Sequence, residues 1–169
     1  RFFAIRNVSS SVYIKNMSKM LIMLTGEIGS GKSTAAHILE KYGFEEDYFS
    51  RPLKDFALSI GFEHEEIYGT QEQKLRINNL WGISGREFLQ RFGSEVCRNF
   101  LPKAIPNMNL NNRTLWARTM ERNIQKYDYL VISDGRFEDE AKLVQDYEGI
   151  IIRLERKYDT GSSTFSSHQ

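Results

Sequence analysis

The chain has 169 residues, 40% of them hydrophobic and 27% charged, with a formal net charge of +1. This composition is ordinary for one globular domain with its own core. The charge balance gives no bulk reason to expect nucleic acid or membrane as a partner, and no apolar run approaches the roughly 18 residues of a membrane span. A single cysteine, Cys97, excludes an internal disulfide and favours a reducing, cytoplasmic compartment.

Residues 1–18 contain basic side chains but no Asp or Glu. That composition is typical of a transit peptide, and the alternative is upstream sequence ahead of a start at Met17 or Met20. In either case we expect an N-terminal extension outside the core, and we predict that the folded domain begins at residue 19.

The remaining chain alternates strand and helix patterns. The predicted elements are strand 19–25, helix 33–42, strand 44–50, helix 52–60, short helix 71–77, helix 85–100, helix 113–127, strand 129–133, helix 137–147 and strand 150–154. The segment 61–81 is predicted to be irregular apart from the possible helix 71–77, and the segment 101–112 and the tail 157–169 are predicted to be loops. Gly93, inside a predicted helix, indicates a close backbone approach or a ligand. The order predicts an α/β fold of three layers, with a mainly parallel sheet between helices.

A phosphate-binding loop lies between the first predicted strand and helix. Its glycines allow several backbone N–H groups to converge on a phosphate chain, and the helix N-terminus behind it favours an anion. Lys32 is predicted to reach the β- and γ-phosphates of ATP, and the Ser33 hydroxyl to bind Mg²⁺. The predicted ATP-binding residues are Gly26, Gly29, Ser30, Gly31, Lys32, Ser33 and Thr34.

A second candidate site follows the apolar strand 129–133. Asp134 is predicted to lie at the carboxyl edge of the sheet, where open α/β folds bind ligands, and to hold Mg²⁺ there. The alternative is that Asp134 caps the following helix. Arg136 is either a phosphate ligand or a solvated helix residue.

Further basic residues are candidates for the acceptor site and a lid. Lys54 stands near the start of the second helix, where its charge could face an acceptor phosphate. Arg86 and Gln90 are four residues apart on one helix face and could read a phosphate and a base edge, although the pattern alone favours a solvated face. Arg153 and Arg156 follow the last strand and are candidates for a mobile lid.

Together these motifs resemble those of the phage- and large-virus-type deoxynucleoside monophosphate kinases, within the P-loop nucleoside monophosphate kinase superfamily. The matching segments, in order over residues 19–169, are GEIGSGKST, SRPLKDF, SGREFLQRFGSEVCR, DGRFEDEA and IIRLERK. The resemblance implies a five-stranded parallel sheet with a lid from about residue 154. It also implies Mg²⁺-dependent phosphoryl transfer from ATP to a (deoxy)nucleoside monophosphate, in the cytoplasm or, for a virus, in the host cytoplasm.

Residue roles follow by position in these motifs. The resemblance assigns the acceptor nucleotide to Lys54, Arg86 and Gln90. It assigns phosphoryl transfer to Lys32, Asp134, Arg136 and Arg153, with Ser33 and Asp134 as the metal ligands.

Other readings of the sequence stay open. The family lid continues and returns to a further strand, so we expect the last strand to be absent from this sequence and the lid to be cut short. The alternatives to nucleotide phosphorylation are a kinase of another small metabolite, such as phosphomevalonate or dephospho-coenzyme A, and a non-catalytic nucleotide-binding protein. The expected partner is a small-molecule nucleotide, and a homodimer is compatible with the sequence.

Overall fold

The computed structural model describes residues 19–156, so the predictions for residues 1–18 and 157–169 lie outside it. The described chain forms one sheet of four parallel strands, which are β1 (Met20–Gly26), β2 (Glu45–Asp47), β3 (Tyr129–Gly135) and β4 (Ile150–Leu154). Their order across the sheet is β2-β3-β1-β4. The carboxyl ends of β1 and β3 are therefore neighbours, and both lead into segments with predicted site residues.

Helices connect these strands. They are α1 (Lys32–Glu40), α2 (Arg51–Ser59), α3 (His64–Tyr68), α4 (Gln71–Leu75), α5 (Gly85–Arg91), α6 (Leu101–Ala104), α7 (Leu115–Lys126) and α8 (Glu138–Asp146). A π-helical segment, Phe92–Phe100, continues α5. No helix within residues 19–156 is long and apolar enough to cross a membrane.

The first strand shows why the fold has three layers. Successive side chains of a strand point to opposite faces, and β1 is apolar on both. Leu21 and Met23 belong to the core beneath α7 and α8, whereas Ile22 and Leu24 belong to a second core with Ala36 of α1. Helices therefore cover both faces of the sheet, which confirms the predicted α/β/α architecture.

A third apolar cluster joins the helices that follow β2. Ala57, Phe62 and Ile67 are buried there, with Phe88 packed against them. The ring of Phe88 also lies 5.2 Å from that of Phe92, centroid to centroid, in a stacked arrangement. Because α2 begins just beyond the carboxyl end of β2, this helical unit is attached to the same edge of the sheet as the phosphate loop.

The interior glycine of the long helix is explained by packing. A Cβ atom on Gly93 would lie 2.7 Å from Cδ2 of Leu53 on α2. The widened π turn also leaves the Gly93 carbonyl available to accept a hydrogen bond of 3.0 Å from Nε1 of Trp116. The close approach predicted from the sequence is thus an approach to a neighbouring helix.

Several predicted boundaries were wrong. Strand β2 is three residues long, much shorter than 44–50. Helix α3 lies in a predicted loop, where the Glu66 carboxylate accepts a 2.8 Å hydrogen bond from the Glu63 N–H and caps the short helix. Helix α6 occupies part of the predicted loop 101–112. Helix α7 begins at Leu115, since the Thr114 hydroxyl accepts from its first turn.

Candidate active site

The phosphate loop has the backbone that its glycines permit. Gly29 and Gly31 have φ angles of 80° and 96°, in the left-handed region that strains other residues. Gly31 is the N-cap of α1 and offers no capping side chain. The N–H groups of the first turn of α1 therefore have no side-chain cap from residue 31, as a loop that receives an anion requires.

Gly26 is required for another reason, the closeness of the neighbouring strand. A Cβ atom at this position would lie 2.3 Å from the Leu154 carbonyl oxygen and 2.8 Å from Oγ of Ser30. A side chain here would push the end of β1 away from β4 and disturb the loop. The first predicted loop residue is thus fixed by the sheet as well as by its motif.

Lys32 lies folded over the loop. Its Nζ donates hydrogen bonds to the carbonyl oxygens of Gly26, at 2.8 Å, and Glu27, at 2.6 Å. Burial lowers the pKa of Lys32, and the positive charge of Arg136 lowers it further. No carboxylate in residues 19–156 forms an ion pair with this amino group, so its charge is available to a phosphate.

Asp134 links the end of β3 to the turn that follows β2 at the carboxyl edge of the sheet. It lies near the end of β3, one residue before the Gly135 that pairs with Thr25 of β1. Its carboxylate accepts hydrogen bonds from the backbone N–H groups of Phe49, at 2.8 Å, and Ser50, at 3.1 Å. These bonds hold the turn between β2 and α2 against β3.

The start of α8 is capped by a residue other than Asp134. The backbone N–H groups of Arg136 and Phe137 donate to Oε2 of Glu140, at 2.8 and 3.0 Å. Glu140 is buried, and burial raises its pKa to about 6. The helix-cap alternative for Asp134 is therefore not what the structure shows, and its carboxylate keeps lone pairs for another ligand.

Lys54 lies between aromatic rings at the same edge. Its Nζ is 4.4 Å from the ring centroid of Tyr48 and 4.8 Å from that of Tyr68. Burial lowers the pKa of Lys54, and the negative charge of Asp134 opposes that effect. The charge of Arg136 also acts on Lys54, so Arg136 influences both Lys32 and Lys54 along one edge.

The remaining candidates are less closely gathered. Arg86 donates a 2.7 Å hydrogen bond from Nη1 to Oε1 of Gln71 on α4, and Gln90 is exposed on α5. Arg153 forms an exposed ion pair of 3.0 Å with Glu155. The described residues bring Lys32, Lys54, Asp134 and Arg136 together, whereas Arg86 and Gln90 stand on α5 without a direct bond to them.

Arg153 also borders a cleft beside the loop. The cleft has a volume of about 290 Å³. It is lined by Glu27, Ile28, Ser30, Arg153, Leu154, Glu155 and Arg156. The predicted lid arginines therefore lie on the same side of the phosphate loop.

Sequence reasoning missed several residues at this edge. Tyr48 and Tyr68 flank Lys54, and Lys74 of α4 adds a third positive charge to those acting on it. No spacing rule links these residues, since three separate elements supply them. The sequence did contain a signal for Glu140, because it is the last acidic residue of the DGRFEDEA segment, but its role as a cap depends on the fold.

The fold and the site define a class of protein. A parallel α/β sheet whose first strand enters a glycine loop, followed by Lys32 on a helix, is the architecture of a nucleoside monophosphate kinase-like P-loop protein. The chain is 36% identical over 144 residues to a protein of Acanthamoeba polyphaga mimivirus named "Putative deoxynucleotide monophosphate kinase", a match that covers 81% of this chain and 74% of the relative. The chain therefore belongs to the deoxynucleotide monophosphate kinase family. No protein-family model matches the chain, and no solved structure does.

Proposed function

We propose that this protein transfers the γ-phosphoryl group of ATP to a (deoxy)nucleoside monophosphate. The observation that carries the proposal is the convergence of Lys32, Lys54 and Arg136 at one sheet edge, where none of them forms an ion pair with a carboxylate of residues 19–156. Unpaired cations at the end of a phosphate loop favour a ligand with several phosphate groups, and a kinase must hold two such ligands end to end.

The residues of the loop fit ATP. Gly29 and Gly31 have the left-handed backbone that turns N–H groups inward. Within residues 19–156 the amino group of Lys32 is bonded only to carbonyl and hydroxyl oxygens that a phosphate can replace. In the proposal the β- and γ-phosphates lie against this loop, with Ser30 and Thr34 beside them. Arg153 would approach the same phosphates from the neighbouring cleft.

The acidic residues fit Mg²⁺ in the way a kinase uses it. Within residues 19–156 no three His, Cys, Asp or Glu side chains form a metal cage. Magnesium in kinases needs only one or two protein oxygens, because nucleotide phosphates and water complete its shell. Asp134 and the Ser33 hydroxyl would hold the ion, which neutralises charge on the transferred group when bound.

The acceptor would lie on the other side of the edge. Lys54 would bind its phosphate, and Arg86 with Gln90 would contact the nucleotide from α5. An oxygen of the acceptor phosphate is already a nucleophile, so it attacks the γ-phosphorus without a base while the bond to the bridging oxygen of ADP breaks. The task of the protein is then positioning and charge neutralisation by Lys32, Arg136 and Arg153.

An acceptor screen tests the proposal. Purified protein with ATP and Mg²⁺ is offered each of the four deoxynucleoside monophosphates, then phosphomevalonate and dephospho-coenzyme A, and products are separated by chromatography. We expect ADP and one or more deoxynucleoside diphosphates in equal amounts. Protein with Lys32→Ala, purified identically, reports any contaminating kinase. ADP formed only with another acceptor, or ATP binding without transfer to any acceptor, would contradict the proposal.

A further inference from the structure

Lys54 is a partly buried cation held by aromatic rings instead of a carboxylate. Its Nζ lies within 5 Å of two ring centroids, 4.4 Å for Tyr48 and 4.8 Å for Tyr68. The rings meet edge to face, with centroids 6.5 Å apart and planes inclined by 68°. Within residues 19–156 no carboxylate oxygen lies in ion-pair distance of this Nζ. The ammonium therefore contacts two π faces, which attract a cation through the ring quadrupole.

The ring of Tyr48 also contacts a second cation, Arg51. The guanidinium of Arg51 lies 4.1 Å from the ring centroid of Tyr48, but this cation is neutralised because it pairs with Asp47. Asp47 is buried and also accepts a 2.6 Å hydrogen bond from Asn123 of α7. Two cations thus share Tyr48, and only Lys54 keeps an unpaired charge.

The second ring is supported by its own helix. Tyr68 stacks on His64, one turn earlier on α3, with centroids 4.9 Å apart and planes inclined by 20°. The two tyrosines come from different segments, one after β2 and one at the end of α3. Their meeting over Lys54 is a tertiary feature that no local motif requires.

The charges around Lys54 have a positive surplus that favours binding of an anion. Asp134 is the carboxylate whose charge acts on it, whereas Lys74, Arg136 and Arg51 add positive charge. Arg51 is neutralised by Asp47, so within residues 19–156 Lys54 itself, Lys74 and Arg136 remain against the one carboxylate of Asp134. A phosphate dianion would balance this surplus and would find an ammonium whose N–H groups are not taken by a carboxylate.

We propose that Tyr48 and Tyr68 are positioning residues, which hold the Lys54 ammonium with their ring faces so that it can bind the phosphate of the acceptor. A carboxylate would also orient Lys54, but it would cancel the charge and compete with the phosphate. Ring faces orient the cation and leave its charge uncancelled. The inference rests on the proposed function only in naming the acceptor as the source of that phosphate.

The first measurement needs no activity. In protein with ¹³C-labelled lysine, the ε-CH₂ protons of Lys54 should be shifted upfield by the ring currents, and a Lys54→Gln variant assigns the signal. The shift should persist in Tyr48→Phe and Tyr68→Phe, which keep the rings, and shrink in Tyr48→Leu and Tyr68→Leu. Tyr42→Leu, at an exposed tyrosine, is the control for losing a tyrosine. If both Leu variants are folded by circular dichroism and keep the wild-type shift, the inference is wrong.

The second measurement is kinetic. We expect the KM for the acceptor to rise about tenfold in each Leu variant, with kcat and the KM for ATP changed less than about threefold, because a cation–π contact of this kind is modest. The Phe variants should restore most of the acceptor affinity. An acceptor KM that stays at the wild-type value in folded Leu variants would overturn the positioning role, even if the ring-current shift is lost.

A third measurement separates this inference from the proposed function. If no deoxynucleoside monophosphate is phosphorylated, the proposed function fails, and inorganic phosphate becomes the probe in a titration of the Lys54 signal. The inference then stands if the Leu variants need about tenfold more phosphate than wild type and the Phe variants do not. It falls if wild-type and Leu proteins respond to the same phosphate concentration.

Discussion

Two groups of cations in this protein have opposite surroundings. Lys32, Lys54 and Arg136, at the carboxyl edge of the sheet, form no ion pair with a carboxylate of residues 19–156. Arg98 and Arg113, whose side chains are mostly buried, are each bonded to two carboxylates. Arg98 bonds Asp139 and Glu140, and Arg113 bonds Glu121 and Asp146.

The difference teaches which cations serve the fold. Arg98 and Arg113 keep 15% and 14% of their side chains exposed, so their charges need partners to compensate for lost water. At the sheet edge the amino groups contact backbone oxygens or ring faces, which orient a charge without cancelling it. Removing Lys32, Lys54 or Arg136 should therefore affect activity, and removing Arg98 or Arg113 should affect stability.

The largest effect is expected for Lys32→Ala. The substitution removes the charge over the phosphate loop but no buried contact, so the rate should fall by at least about 10²–10³-fold while the melting temperature changes little. Initial rates and a thermal unfolding curve give the two numbers. Lys41→Ala, at an exposed lysine just after α1, is the matched control and should keep wild-type activity. A Lys32→Ala enzyme with a near-normal rate would refute the assignment.

The opposite outcome is expected for Arg98→Met. This variant leaves the buried Glu140 without its cation and removes the guanidinium that lies 3.9 Å from the ring centroid of Phe137. The free energy of unfolding should fall by about 3–5 kcal/mol, the usual cost of breaking a buried pair from one side. Urea unfolding at neutral pH measures it. A loss below about 1 kcal/mol would mean that water reaches the pair.

The two groups of cations differ in how much of their surroundings could be predicted from the sequence. The loop around Lys32 and the strand before Asp134 were predictable, because a phosphate loop and an apolar strand are local patterns. The α/β/α fold followed from their alternation. The partners of Arg98 were not predictable, since they lie more than 40 residues away and meet it only through packing.

The same limit applied inside the candidate site. The sequence singled out Lys54 by its position near a helix start, but it gave no indication of Tyr48 and Tyr68. It also offered helix capping for Asp134, a local explanation that the structure replaces with bonds to Phe49 and Ser50. A one-dimensional pattern shows which groups can act, whereas their partners depend on the tertiary fold.

Glu140→Gln is expected to have an intermediate effect on the free energy of unfolding, and this effect depends on pH. Because burial raises the pKa of Glu140 from 4.5 to about 6, the folded state binds this proton more tightly than the unfolded state. The contribution of Glu140 to the free energy of unfolding is therefore fully present below about pH 4.5 and is lost as the pH rises through about 6. The loss amounts to about 2 kcal/mol.

The variant isolates that loss. Glutamine does not ionise, so the stability of wild type relative to Glu140→Gln should fall by about 2 kcal/mol between about pH 4 and pH 7. Urea unfolding at several pH values gives the curve. Glu138→Gln, at an exposed carboxylate on the same helix, should leave the wild-type curve nearly unchanged. If the difference in free energy of unfolding between wild type and Glu140→Gln is the same at every pH, Glu140 is not the group whose titration changes the stability.

The smallest effect is expected from Arg91→Met, and it tests whether burial or pairing separates the two groups of cations. Arg91 pairs with Glu87 at 2.9 Å, as Arg98 and Arg113 pair with their carboxylates, but its side chain is 67% exposed. Water already solvates this charge, and methionine has a helix propensity similar to that of arginine. The free energy of unfolding should therefore change by less than about 1 kcal/mol. Activity should stay within about twofold of wild type, measured in the same assays as for Lys32→Ala. A loss as large as that of Arg98→Met would show that pairing alone, without burial, makes an arginine structural in this protein.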